Sequence, residues 1–164
     1  MTTFQSTQAI RQLEKRKGGY YYIKIDASTV DRFSRKRATR LICEIDDKVS
    51  YRCGLNHFGD GNFFLIIATK HLKTLQKELG DEISFTISED PNPLGVDVPE
   101  VLEALLAQDE DAKHIYDSLT DGKKRGLIHT INRIKNIDKQ VDAALRFLEE
   151  EQLKKEEKER KKRR

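Results

Sequence analysis

The residues best suited to binding chemistry form a short basic segment in the first half of the chain. Five cations lie within nine residues and are opposed only by Asp31: they are Arg32, Arg35, Lys36, Arg37 and Arg40. Such cations bind phosphate oxygens, and the neighbouring rings of Phe33, Tyr20 and Tyr22 offer surfaces on which bases can stack. The segment predicts an anion or nucleic-acid contact. The alternative is a solvated loop whose charges pair with Asp46, Asp47 or Asp60.

A second candidate is the separation of charge in the C-terminal half. Residues 97–121 hold eight acidic residues and one lysine, net −7, whereas residues 122–148 hold seven basic and two acidic residues, net +5. An acidic face that includes Glu100 and Glu103 would attract a cationic peptide, because complementary charge steers association. The alternative is that helices of opposite charge pair with each other or dock on the N-terminal domain.

No set of residues predicts catalysis or a metal site. The four histidines, His57, His71, His114 and His129, are scattered, and no HxH, HExxH or CxxC pattern occurs. Zinc needs three or four converging ligands, and catalysis needs a nucleophile or an acid/base pair in mutual reach. We therefore expect a protein that is not an enzyme and that uses no cofactor or metal. An enzyme with an unrecognised site is the weaker alternative.

The two cysteines, Cys43 and Cys53, are expected to face the same interior from neighbouring strands. Their spacing about a turn near residue 47 makes them diagonal neighbours, ~7–8 Å apart. A disulfide needs Cα atoms ~4.4–6.8 Å apart. Two buried thiols are therefore predicted, as in a reducing cytoplasm, and a redox switch is the alternative.

Residues 1–90 are predicted to form a strand-rich domain that positions the basic segment. Strands are expected over 3–13, 20–25, 41–45, 49–55, 63–67 and 82–88, with a short helical turn or loop over 27–37. Period-2 spacing places Leu41, Cys43 and Ile45 on one face of their strand. A helix over 70–79 is expected to carry Leu79 on its apolar stripe and to end at Gly80. Because short antiparallel strands hide their edges best by closing, we expect a small closed or half-closed barrel of about six strands.

The rest of the chain is predicted to be helical. Two prolines and a glycine between residues 91 and 95 indicate a linker over 91–98. Helices are expected over the region 99–148: one from Pro99, one over 111–119, one capped by Thr120 and one from about Ile137. The tail 149–164 carries fourteen charges in sixteen residues and is expected to be a fraying, solvated helix. Its basic end, 158–164, is suited to non-specific contact with anionic lipid or nucleic acid.

Composition excludes several classes of protein. The chain has 164 residues, 36% of them charged, and a formal net charge of only +3, so it is not a uniformly basic nucleic-acid binder. No apolar run approaches the ~20 residues of a membrane-spanning helix. The N-terminal segment lacks the apolar core of a secretory signal. A cytoplasmic location is therefore expected.

Three segments carry a resemblance to a known family: ICEIDDKVSYRCGL followed by FGDGNFFLIIATKHLKTL, then LGDEISFTISED, and then VPEVLEALLAQDEDAKHIYDSLTDGKKRGLIHTINRIKN. In this order they resemble the family that joins an uncharacterised small β-barrel domain to a helical region called bacteriocin-protection, YdeI or OmpD-associated. The resemblance implies a pseudo-barrel of the double-split type, and it is compatible with a homodimer.

The family's activity is not established, and its name records an association with resistance to antimicrobial peptides. One segment departs from the family pattern. Members carry an arginine-rich stretch after the basic helix, where this chain has residues 136–142, NIDKQVD.

We therefore expect an α+β fold: a small antiparallel β-barrel followed by a C-terminal helical region. The leading hypothesis for its function is a non-enzymatic binding protein that contacts a protein or a cationic peptide. The alternative is a nucleic-acid-binding module that uses the basic segment.

Overall fold

The computed structural model describes residues 2–164, so residue 1, which the predicted first domain includes, lies outside the described residues. The chain divides into two compact units, Met1–Gly95 and Val96–Arg164. The division falls inside the segment 91–98 that the sequence assigns to a linker. The other domain limits stay predictions.

The first unit is built from eight strands, β1 to β8. They span Thr3–Ala9, Arg11–Gln12, Tyr21–Ile25, Arg40–Ile45, Val49–Gly54, Asn56–His57, Phe63–Ile67 and Glu82–Glu89. They pair as two four-stranded antiparallel sheets, with strand orders β1-β8-β4-β5 and β2-β3-β7-β6. The α+β class predicted from the sequence is confirmed.

The two sheets enclose the hydrophobic core of this unit. In β4 the side chains of Leu41, Cys43 and Ile45 are fully buried, whereas Glu44 between them is exposed. This alternation confirms the predicted face, because successive side chains of a strand point to opposite sides of the sheet. On β8, Phe85 pairs with Ile45 in the ladder and is buried beside it. Each such side chain contributes roughly 1.5–3 kcal/mol by leaving water.

A closed barrel, one of the two forms expected from the sequence, is not found. Within residues 2–164 the strand pairings end at β1 and β5 in one sheet and at β2 and β6 in the other. Only Ile10 separates β1 from β2, and only Leu55 separates β5 from β6. At each of these residues the chain leaves one sheet and enters the other. Period-2 spacing cannot distinguish this arrangement from a closed barrel, because both bury alternate side chains.

Two short α-helices, α1 (Ala27–Val30) and α2 (Thr69–Leu75), complete the first unit. The helix predicted over 70–79 is wrong at its C-terminal end. Gln76 adopts a left-handed conformation, with φ of 55°, and caps α2 there. The Glu78 amide then donates to the Asp81 carboxylate, at 2.8 Å, in the turn that follows. As a result Leu79 is 53% exposed and belongs to no apolar stripe.

The second unit contains four helices, α3 to α6. They span Glu100–Gln108, Glu110–Ser118, Asp121–Asn132 and Ile137–Lys162. The side chains of Asp109, Thr120 and Asn136 accept backbone amides at the starts of α4, α5 and α6, which satisfies donors that a helix leaves unpaired. The predicted cap at Thr120 and the predicted start at Ile137 are confirmed.

The core of the second unit is apolar and small. Its fully buried side chains include Leu102, Leu127, Ile128, Ile131, Ala144 and Leu148. The charged tail continues α6 as far as Lys162. None of the helices in residues 2–164 has the length and apolar character needed to cross a membrane.

Candidate functional site

The structure places the five cations of the basic segment in two kinds of position. Arg32, Arg35, Lys36 and Arg37 are exposed between α1 and β4. Arg40 is instead the first residue of β4 and is half-buried. The segment therefore presents four cations on a loop and one at the edge of the sheet.

The stacking surface proposed for this segment is wrong for two of its three rings. Phe33 is 2% exposed and belongs to the core cluster. Tyr22 is buried and packs against Phe58 and Phe64, with ring centroids 5.4 and 5.6 Å away. Burial of these large rings removes apolar surface from water. Only Tyr20, at 52% exposure, presents a ring to solvent.

Two carboxylates considered as partners of the basic segment face other cations. Asp46 lies 3.9 Å from Lys77 Nζ, and Asp60 lies 3.4 Å from Lys24 Nζ. The Asp60 carboxylate also accepts the Asn62 amide at 2.9 Å, and this bond is the main reason its pKa is lowered. The segment from Gly59 to Gly61 is thus a turn that the Asp60 side chain stabilises.

A cleft of about 460 Å³ lies beside β5. Its walls come from β4, β5, β6, the end of β7 and the start of α2. They consist of Arg40, Tyr51, Arg52, Cys53, Gly54, Leu55, Asn56, Ile66, Ala68, Lys70 and His71. Three lining residues are cationic and none is acidic, so the walls of this cleft carry positive charge.

A buried carboxylate holds one of the cleft's arginines. The Asp90 side chain is 0% exposed, and its Oδ2 lies 2.8 Å from Arg52 Nε. Arg52 Nη2 lies 3.4 Å from Asp90 Oδ1, which also accepts the Asn92 amide at 2.9 Å. A buried charge without a partner is costly, so this pair fixes the orientation of the Arg52 guanidinium.

The second arginine, Arg40, passes between two glycines. Gly54 lies opposite Arg40 in the β4–β5 ladder. A Cβ added at Gly54 would overlap the Arg40 guanidinium, and one at Gly95 would lie 2.5 Å from Arg40 Nε. Gly95 also has φ of 77°, which favours glycine. Both positions therefore need glycine for Arg40 to lie where it does.

An aromatic pair forms another part of the cleft wall. The rings of Tyr51 and His71 stack, with centroids 4.5 Å apart and planes at 22°. The Tyr51 hydroxyl donates to the carbonyl of Ile66 at 3.0 Å. Burial raises the pKa of Tyr51, whereas burial and the neighbouring Lys70 lower the pKa of His71. Both rings are therefore neutral at neutral pH, and the positive charge belongs to Arg40, Arg52 and Lys70.

The two cysteines lie on adjacent strands and are both free thiols. Cys43 pairs with Tyr51 in the ladder and Cys53 pairs with Leu41, so the cysteines are diagonal neighbours as predicted. Burial raises the pKa of Cys43 to about 11 and also raises the pKa of Cys53. Because the thiolate is the reactive form, neither thiol is an activated nucleophile at neutral pH.

The predicted peptide-binding residues lie on the surface of the second unit. Glu100 and Glu103 are exposed in the first turn of α3, and Glu110 and Asp111 are exposed in the first turn of α4. Carboxylates at these positions also favour the helices, because the N-terminus of a helix carries partial positive charge. The structure thus places acidic side chains at the starts of two consecutive helices.

The basic half of the second unit makes an ion pair with the tail. Lys123 of α5 binds Glu151 of α6, and Lys154 lies 3.1 Å from the same carboxylate. Of the histidines, only His71 lines the cleft; His57, His114 and His129 are exposed elsewhere. No group of three or more possible metal-ligating side chains converges in the part of the chain that the structure describes.

The residues that the sequence analysis missed are Arg52, Lys70, His71 and Asp90. They come from β5, α2 and the residue after β8, so no local motif unites them. One signal in the sequence could have indicated the cleft, because the register of the β4–β5 hairpin places Gly54 opposite Arg40.

Comparison with protein families agrees with this two-part architecture. Residues 7–87 match a domain of unknown function, DUF1905. Residues 95–144 match the family described as Bacteriocin-protection, YdeI or OmpD-Associated. The chain therefore belongs to the proteins in which a DUF1905 domain precedes this helical region, and the resemblance inferred from the sequence is confirmed. Neither the curated proteins nor the solved structures provide a match.

Proposed function

We propose that the protein is a non-enzymatic binding protein whose helical unit binds a cationic peptide or a cationic segment of another protein. The observation that carries this proposal is the exposure of the carboxylates at the starts of α3 and α4. Residues 97–121 carry a net charge of −7. The family description of this region, which names bacteriocin protection, fits a peptide ligand.

The acidic side chains are suited to electrostatic capture. Glu100, Glu103, Glu110 and Asp111 are exposed, and the one lysine of the segment, Lys113, pairs with Asp117 at 2.7 Å. Exposed charges attract a ligand of opposite sign over about 10 Å at moderate salt. The resulting affinity is sensitive to ionic strength and depends on charge more than on an exact peptide sequence.

Several observations support a binding role rather than catalysis. The two thiols have raised pKa values, and His71 stacks on Tyr51. Acyl and phosphoryl transfer require an activated nucleophile, and neither thiol is activated, because burial raises the pKa of both. The cytoplasmic location also stays a proposal, supported by the two free thiols.

The test is fluorescence anisotropy of a labelled oligolysine peptide with the full chain. We expect the variant Glu100→Lys with Glu103→Lys to bind about tenfold more weakly at low salt, since two attractive contacts become repulsive. The control is Glu149→Lys with Glu150→Lys, which changes the net charge equally at exposed positions of α6. Equal weakening by both double variants, or no binding of several cationic peptides, would overturn the proposal.

A nucleic-acid contact is the second candidate, and the exposure of Arg32, Lys36 and Arg37 on one loop favours it. Burial of Phe33 and Tyr22 leaves little ring surface for base stacking. Any such contact would therefore be mainly with phosphates. It predicts binding of single-stranded RNA or duplex DNA that falls steeply with salt. The same binding would be lost in Arg35→Glu with Arg37→Glu, and no binding at low salt would eliminate this candidate.

The pseudo-barrel of the double-split type also belongs to the proposal. The observation that supports it is that the chain passes from one sheet to the other across a single residue at two places, between β1 and β2 and between β5 and β6. A homodimer stays a prediction from the family resemblance.

A further inference from the structure

We infer that a groove in the second unit binds the phosphate backbone of a single-stranded nucleic acid. The groove has a volume of about 330 Å³ and lies between α6 and the segment where α4 ends and α5 begins. Its walls contain five lysines from two different helices: Lys123, Lys154, Lys155, Lys158 and Lys162. These residues are separate from the carboxylates proposed for the peptide, so the inference goes beyond that proposal.

The lining of the groove carries a net positive charge. Its five lysines are accompanied by two carboxylates, Glu151 and Glu159, so the lining residues have a net charge of +3. Residues 149–164 contain five lysines and six glutamates. Four of those lysines line the groove, but only two of those glutamates do. The helix α6 therefore directs its lysines toward the groove and most of its late glutamates elsewhere.

The Glu151 carboxylate joins the two walls of the groove. It binds Lys123 of α5, and it lies 3.1 Å from Lys154 of α6. The Glu151 side chain is 9% exposed, whereas the two lysine side chains are 46% and 61% exposed. One carboxylate thus holds two ammonium groups that remain accessible to solvent. Cations positioned in this way lose less conformational entropy when a ligand binds than mobile ones do.

The lysines of α6 are arranged along a line rather than around a point. Lys154, Lys158 and Lys162 lie on one face, because residues four apart in a helix are neighbours. At 1.5 Å per residue this row is ~12 Å long. Phosphates of one strand lie ~3.4 Å apart along the axis of a duplex and farther apart in an extended strand. The row therefore reaches more than one phosphate, as binding of a strand requires and binding of a single anion does not.

The shape and the composition of the groove favour a single strand over a membrane or a duplex. Helices that lie on membranes bury an apolar face, and Leu153 is the only apolar residue of α6 after Leu148. A duplex is stiff over ~50 nm and meets only the rim of a concave groove. A single strand can bend into it, where the half-buried side chains of Ile115 and Leu119 offer apolar wall to sugars and bases.

The test is fluorescence anisotropy of a short labelled oligothymidine with the full chain over a series of salt concentrations. Lys155→Gln with Lys158→Gln should weaken binding about tenfold at low salt, because two phosphate contacts are lost. It should also reduce the slope of log K against log salt by ~1.4, since each contact with a single strand contributes ~0.7.

The matched control is Arg160→Gln with Lys161→Gln. It removes the same charge from exposed positions of α6 that do not line the groove, and it should leave the salt slope nearly unchanged. Equal weakening by the two double variants, or no binding at low salt, would overturn the inference. Equal affinity for the duplex of this strand with oligodeoxyadenosine would also overturn it, as would binding to phosphatidylserine vesicles without binding of the strand.

Amide NMR shifts locate the bound strand. We expect shifts at Ser118, Leu119 and Lys123 in the α4–α5 wall together with shifts in α6. Shifts confined to α6 would show that the tail binds without the groove. Loss of binding in Arg35→Glu with Arg37→Glu, but not in the groove variant, would place the nucleic acid on the first unit and overturn this site. None of these outcomes decides whether the exposed carboxylates of α3 and α4 bind a peptide.

Discussion

The two units of this protein hold their charges in different ways. In the first unit, Arg52 is paired with a fully buried carboxylate and Arg40 is confined by two glycines. In the second unit, the acidic residues of α3 and α4 are exposed at helix starts, and Lys123 reaches Glu151 from a neighbouring helix. Arg40 and Arg52 are therefore held against the core of the first unit, whereas the carboxylates of α3 and α4 are displayed on the surface of the second.

This difference affects the kind of ligand that each unit can select. A charge held by burial keeps one geometry, and a ligand must match that geometry to bind. An exposed charge moves with its side chain and is screened by salt, so it contributes attraction with little selectivity. The exposed carboxylates of the second unit are therefore the ones suited to the flexible cationic peptide that we propose as its ligand.

The largest expected effect is a loss of stability in the first unit. Arg52→Ala leaves Asp90 buried without this cation, and loss of one partner of a buried pair costs about 3–5 kcal/mol. Because the Arg52 side chain is 36% exposed, we expect about 3 kcal/mol. Urea unfolding monitored by tyrosine fluorescence measures it, since Tyr20, Tyr21, Tyr22 and Tyr51 lie in the first unit.

Lys123→Ala is the counterpart in the second unit. It removes one of two lysines that bind Glu151, whose side chain is 9% exposed, and Lys154 still lies 3.1 Å from this carboxylate. We therefore expect a cost below about 1 kcal/mol. Similar costs for the two variants, each measured with a probe of its own unit, would remove the distinction between fixed and displayed charge.

The next effect tests the confinement of Arg40. Gly54→Ala introduces a methyl group where the end of the Arg40 side chain lies. Because that flexible side chain can shift, we expect a cost at the lower end of the range for overpacking, about 1 kcal/mol. Arg40→Ala in the same chain should recover part of that cost, because it removes the group that is displaced. Thermal unfolding of the two single variants and the double variant gives the coupling. Strictly additive costs would show that Gly54 and Arg40 do not oppose each other.

A smaller effect concerns the pH dependence of the second unit. Hydrogen bonds from Lys123 and Lys154 lower the pKa of Glu151. A lowered folded-state pKa contributes stability above the unfolded-state pKa, and this contribution is lost as the pH falls through the folded-state value. Glu151→Gln should therefore destabilise the protein at neutral pH, by up to about 1 kcal/mol, and should have little effect in acid. A cost independent of pH, found by denaturation at several pH values, would contradict the ion-pair account.

The smallest effect is expected in the tail. Lys161 lies 3.0 Å from Glu157, four residues earlier in α6, and both side chains are exposed. Such pairs contribute about 0.2–0.5 kcal/mol, so Lys161→Ala should reduce far-UV helicity slightly at low salt and have no effect at high salt. A clear loss of global stability would show that the tail packs more firmly than its exposure indicates.

Much of the fold could be predicted because it follows from local patterns. Alternation placed Leu41, Cys43 and Ile45 in the core, and Thr120 marked the start of α5. Closure into a barrel could not be predicted, because it depends on hydrogen bonds between distant strands. The end of α2 was missed because Gln76 adopts the left-handed conformation without a glycine.

The cleft lay beyond prediction for a related reason. Arg40 was selected as part of a basic run, yet its neighbours in the cleft are Arg52 and Lys70, which are isolated cations in the sequence. Within the basic segment, only Arg40 belongs to β4, and the Phe33 side chain packs in the hydrophobic core. Proximity in the chain therefore did not show which cations share the cleft.

The most direct test of the proposed peptide site is an NMR titration of the full-length protein with the oligolysine peptide. We expect the peptide to shift the amides of α3 and α4 around Glu100 and Glu103. Shifts confined to the first unit, or to the charged tail, would contradict the proposal that the exposed carboxylates of the second unit bind the peptide.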